Sequence, residues 1–107
     1  MKIAMTESTV IPLCGELDTG SANALRARLA QASIDFDGEA VTLDMSGVTF
    51  IDSTGLGILV GATRSMRSTG GDIRLAGCRP GMARVLSIAG LDRFFVLTME
   101  AEVAPVA

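Results

Sequence analysis

Apolar residues along the chain recur in two rhythms, and the rhythm changes several times. Thr9-Val10-Ile11-Pro12-Leu13-Cys14 and Val41-Thr42-Leu43-Asp44-Met45 are short β-branched runs of the kind that form strands. Ile73–Ala76 and Phe94–Leu97 predict two further strands, and residues 1–5 alternate weakly enough to predict a short edge strand. Pro12 cannot donate to a ladder, so its strand belongs at an edge or exposes that position. Between the strands the spacing lengthens to three and four. Ala22, Leu25, Leu29 and Ala32 mark one face of a helix over 20–32, which Asp18 or Thr19 can cap. Leu56, Leu59, Val60 and Thr63 mark a helix over 54–68, ended by Gly70-Gly71. Pro80 opens a third helix running to about Ala89, with Met82, Val85, Leu86 and Ala89 on its stripe and Gly90 as its stop. Turns are predicted at Gly15–Asp18 and Ser46-Gly47, with a loop over 33–40; the last eight residues read as a frayed tail or a short helix.

Strand and helix alternate in units of about 30 residues, which argues for crossover connections and mostly parallel pairing. The expected fold is α/β: a small mixed, mostly parallel β-sheet with helices mainly on one face. With 107 residues, 49% hydrophobic and 20% charged, residues 1–107 make one domain with room for a single core.

Charge and composition narrow the function. The net charge is −3, from 9 basic and 12 acidic residues, and the arginines are scattered. There is no Trp or Tyr, so neither a cationic footprint nor a stacking platform for nucleic acid is present. No apolar run approaches the roughly 20 residues of a membrane span, and the N-terminal stretch has no signal-peptide core, which predicts a cytoplasmic protein. Cys14 and Cys78 are 64 residues apart and His is absent, so no metal site is expected and two buried free thiols are.

The chemistry-bearing stretch is Ile51-Asp52-Ser53-Thr54-Gly55-Leu56-Gly57, between a strand-like and a helix-like segment. Nucleophilic catalysis needs a base beside the hydroxyl, and the chain has no His and one Lys, Lys2. Paired carboxylates among Asp18, Asp44 and Asp52 show no convergence, so the protein is read as no enzyme. The two glycines lack both the Lys of a P-loop and the third glycine of a dinucleotide fingerprint, so no cofactor is expected. Ser53 or Thr54 can cap the following helix with Asp52 before it. One cap suffices, however, and three capping residue types stand in a row. The same helix start can accept a phosphorylated hydroxyl, because unpaired backbone N–H groups and the helix dipole favour an anion there.

Gly15-Glu16-Leu17-Asp18, the run from Val41 to Leu59 (VTLDMSGVTFIDSTGLGIL) and the run from Arg79 to Leu97 (RPGMARVLSIAGLDRFFVL) together resemble a standalone STAS domain (sulfate transporter and anti-sigma factor antagonist) of the antagonist type. The resemblance covers most of the chain in order. It implies a small mixed sheet covered by helices. It also implies that the unmodified protein binds an anti-sigma factor with serine kinase activity and frees the sigma factor. The first hydroxyl of the motif, Ser53, is then the phosphoacceptor, and a serine phosphatase resets the switch. Asp52 flanks that site, Asp18 lies near it, and Thr54 is a cap or interface residue. The expected contact surface is Asp18, Asp52, Ser53, Thr54, Gly55, Leu56 and Gly57, continuing along the helix to Arg64 and Arg67. Solvated helix-face charges are the plainer reading of those two arginines. The alternative function is a non-switching STAS subunit of an ABC transporter or of a stress-sensing assembly.

Overall fold

A computed structural model of the protein describes residues 9–98. The order is β1 (Val10–Leu17), a 3-10 turn (Thr19–Ser21), α1 (Ala22–Asp35), β2 (Ala40–Ile51), α2 (Ser53–Arg67), β3 (Asp72–Ala76), α3 (Pro80–Ile88) and β4 (Val96–Thr98). The strand expected at residues 1–5 and the tail lie outside the described residues. Among the described residues four strands pair in sequence order, β1-β2-β3-β4, and each of these pairs is parallel. Each connection therefore steps the same way across the sheet, and the right-handed rule for such crossovers brings all three helices to one face.

Burial follows that layout. The register aligns Ile11, Leu43, Leu75 and Leu97 in one row across the sheet. Leu43 and Leu75 in that row are fully buried. The neighbouring row, Val10, Thr42, Arg74 and Val96, looks the other way and exposes Arg74 and Val96. On α1 the buried residues are Ala22, Leu25, Leu29 and Ala32, the four that periodicity selects. Each buried leucine contributes about 2 kcal/mol, more than a typical cap, so packing rather than capping decides that this segment is helical. On α2 the buried set is Gly55, Leu56, Leu59, Thr63 and Met66. Among the described residues Thr63 is the one buried polar side chain, and its hydroxyl donates to the Leu59 carbonyl at 2.7 Å.

Several expected boundaries move. Gly15–Leu17 does not turn the chain: Gly15 sits at φ 79° inside β1, a conformation glycine tolerates, and the strand continues to Leu17. The loop expected over 33–40 is shorter, because α1 runs on to Asp35. Ser46-Gly47 is not a turn. β2 runs unbroken for 12 residues, and its register against β1 slips between Pro12 and Cys14 and again between Gly15 and Glu16. At each slip β2 carries one extra residue, a β-bulge, so its buried positions go from 41, 43 and 45 to 48 and 51. Asp44 Oδ1 braces the first bulge by accepting from the Ser46 N–H at 3.0 Å and the Ser46 hydroxyl at 2.7 Å. Arg79 holds it from above by donating to the Ser46 carbonyl.

On α3 only Met82 and Leu86 of the predicted stripe are buried; Val85 and Ala89 face solvent. Phe94 and Phe95 precede β4 rather than open it, packed edge to face with ring centres 4.9 Å apart. Both cysteines are free, but only Cys78 is buried. Cys14 alternates with buried Leu13 along β1 and so lies on the open side. Burial pushes the Cys78 thiol up to about 11.

Candidate functional site

Asp52 ends β2 and caps α2. Its backbone is extended, with φ −112° and ψ −173°, and its carboxylate accepts from the Gly55 N–H at 3.0 Å. The Asp52 carbonyl takes the Leu56 N–H at 2.9 Å, and its own N–H donates to the Leu17 carbonyl at 3.1 Å. The cap thus fastens the first turn of α2 to the end of β1. Gly55 permits that contact, since a Cβ there would stand 2.3 Å from the Leu17 carbonyl oxygen. The cap is Asp52, not Ser53 or Thr54 as the residue types also allowed. Ser53, the first residue of α2, is exposed, and its hydroxyl makes no hydrogen bond to a described residue.

Asp18 builds a second cap beside the first. Its carboxylate accepts from the Ser21 N–H at 3.1 Å while Ser21 Oγ accepts from the Asp18 N–H, closing a capping box around the 3-10 turn. Thr19 Oγ1 lies 3.4 Å from Thr54 Oγ1, so this turn sits against the first turn of α2. Asp18, Asp52, Ser53 and Thr54 therefore meet at one end of the sheet, just past the C-termini of β1 and β2. Gly55 and Leu56 are buried beneath them and Gly57 is exposed.

Arg64 and Arg67 lie elsewhere. At 1.5 Å per residue they are about 16–21 Å from Ser53, at the far end of α2. Arg67 is engaged locally: it pairs with Asp72 at 2.7 Å, donates to the Phe94 carbonyl at 2.6 Å and stacks 4.6 Å from the Phe94 ring. Arg64 stands 5.8 Å from the same ring. Such contacts fasten the helix to β3 and to the segment before β4, each with about 1 kcal/mol or less.

Sequence reading did not find the groove between α1 and α2. It has a volume of about 500 Å3, and its lining runs from Arg26, Leu29 and Ala30 on α1 to Ser53, Thr54, Gly57, Ile58 and Gly61 on α2. Small residues at helical spacing are its signal in the sequence. Gly57 and Gly61 do not let α2 approach the sheet; nothing lies within 4 Å of the place where a Cβ would stand, and they keep the groove open. Among the described residues no cluster of Cys, Asp and Glu could hold a metal ion, and no helix is long and apolar enough to cross a membrane.

Comparison with known proteins gives this arrangement its relatives. The chain is 31% identical over 93 residues to an anti-sigma F factor antagonist of Lysinibacillus sphaericus, covering 85% of this chain and 78% of that one. Its fold superposes on the anti-sigma factor antagonist SpoIIAA in the unphosphorylated form with a TM-score of 0.64, at 28% identity over 86% of this chain and 78% of that one. The phosphorylated form of the Bacillus cell fate determinant SpoIIAA superposes with a TM-score of 0.62, at 27% identity over 82% and 79%. The STAS domain profile matches residues 2–105. From its sheet order, its helix-capping junction and this match over nearly its whole length, the chain belongs to the STAS domain family.

Proposed function

We propose that this protein is an anti-sigma factor antagonist whose binding is switched by phosphorylation at Ser53. Unmodified, it binds an anti-sigma factor that is also a serine kinase, and the sigma factor is released. Phosphorylated, it lets go, and a serine phosphatase restores the binding form. Residues 1–107 act as one cytoplasmic STAS domain, a regulator rather than an enzyme, with no cofactor, nucleic acid or membrane in the cycle.

The observation that carries this reading is the exposed Ser53 hydroxyl, left free at the start of α2 because Asp52 does the capping. The names of the relatives support the general role. In the transfer, Ser53 Oγ bonds to the γ-phosphorus of ATP as the bond from that phosphorus to its bridging oxygen breaks. ADP leaves, and the hydroxyl proton passes to a base of the kinase, since this chain has no histidine. The contact surface is Asp18, Asp52, Ser53, Thr54 and Gly57, with Gly55 and Leu56 shaping it from beneath and the exposed side of α2 extending it to Arg64 and Arg67. A group of charge near −2 at its centre must be desolvated or meet partner acids, and a penalty of about 3–4 kcal/mol weakens binding a few hundredfold to a thousandfold.

Co-expression with candidate anti-sigma kinases followed by intact-mass measurement tests the modification. One added phosphate is expected on the wild type and none on Ser53→Ala. A Ser53→Ala protein that still gains the phosphate would move the acceptor elsewhere. A non-switching subunit would gain none under any kinase.

A further inference from the structure

Arg26 shares the α1–α2 groove with Ser53, and the topology places the two at the same end of it. Both helices return antiparallel to parallel strands, so α1 and α2 run parallel to each other. Arg26 is the lining residue nearest the start of α1 and Ser53 and Thr54 are those nearest the start of α2, while Ser33 and the later Gly61, Ala62 and Ser65 line the groove further along the two helices. The Thr19–Thr54 contact sets the turn just before α1 against the first turn of α2, and the Arg26 side chain bonds back to Asn23, toward that same end.

Arg26 is also the uncommitted cation of this region. Its guanidinium makes one long hydrogen bond, 3.4 Å, to Asn23 and no ion pair to a described residue. Its neighbour Arg28 reaches away to the Pro12 carbonyl. Among the described residues Arg26 is the only charged one that lines the groove. The nearby acids, Asp18 and Asp52, are held in their caps and would oppose a phosphoryl group at Ser53.

We infer that Arg26 is the receiving residue for the phosphoryl group of phosphorylated Ser53, pairing with it across the mouth of the groove while the unpaired N–H groups of the first turn of α2 hold its other side. The pairing offsets the two carboxylates, keeps the phosphoryl group as a dianion and draws α1 and α2 together at their starts. This rests on Ser53 being the acceptor. Its role is positioning and charge balance.

Phosphoserine placed at position 53 by genetic-code expansion tests the pairing without any kinase, so a failed pairing and a failed kinase assignment give different results. The second ionisation of the phosphoserine is followed by 31P NMR titration. A neighbouring cation favours the dianion, so Arg26→Gln is expected to raise that pKa by about half a unit, roughly threefold in the ionisation constant. Arg26→Lys should recover part of the shift, Arg84→Gln on α3 should leave it unchanged, and added salt should shrink it. Thermal unfolding of the unphosphorylated Arg26→Gln protein should match wild type, which separates pairing from a general structural role. Identical phosphoserine titrations in wild type and Arg26→Gln would overturn the inference.

Discussion

At Asp52 and Ser53, two adjacent residues of similar capping chemistry take separate tasks. The Asp52 carboxylate holds the Gly55 N–H, and the Ser53 hydroxyl stays exposed. Asp52→Ala should therefore cost about 1 kcal/mol in denaturant unfolding, with Asp52→Asn retaining most of the stability, whereas Ser53→Ala should stay within about 0.5 kcal/mol of wild type. The sequence showed three potential caps and could not rank them, because the choice depends on how β2 ends against Leu17, a contact 35 residues away in the chain. Thiol chemistry divides in the same manner. Native protein should react with a thiol reagent at Cys14 alone, and both cysteines should react once it is unfolded. The Cys78 thiol ionises near 11 when folded and near 9 when unfolded. Below pH 9 both states keep the proton; between 9 and 11 the unfolded state loses it first, so stability falls as pH rises through that window. Cys78→Ala should flatten the decline in a pH series of unfolding curves.

Among the elements, α2 shows how position decides the meaning of one residue type. Gly55 lies against the Leu17 carbonyl, and Gly61 faces open space. Gly55→Ala should destabilise by about 1–3 kcal/mol despite its better helix propensity, because the added Cβ meets backbone that must shift. Gly61→Ala should stabilise by up to about 1 kcal/mol, the ordinary propensity gain. Equal and small effects in thermal unfolding would show that α2 does not seat on β1 as described. The helices were legible because their buried faces repeat at three and four: the four buried positions of α1 matched while its ends moved, and α3 buried only Met82 and Leu86 of its stripe. β2 was only half legible. Its two bulges change the spacing of buried positions from two to three, and on paper the Ser46-Gly47 pair that makes the first one looks like a turn. The engagement of Arg67 with the Phe94 carbonyl was also hidden, since the two residues are 27 positions apart.

Across the whole molecule, parallel strands in sequence order bring the C-termini of β1 and β2 to one end of the sheet, and with them the starts of α1 and α2. That is why Asp18 and Asp52, far apart in the chain, cap neighbouring turns, and why one groove joins Arg26 to Ser53. The strand–helix alternation made the fold readable from the sequence, and the resemblance of the junction motif pointed to Ser53; the groove appears only once two helices lie side by side. The affinity of the protein for the proposed anti-sigma factor partner, measured by calorimetry for serine and for phosphoserine at position 53, tests the proposed switch most directly. The account predicts binding weaker by a few hundredfold to a thousandfold with phosphoserine; equal affinity for the two forms would contradict it.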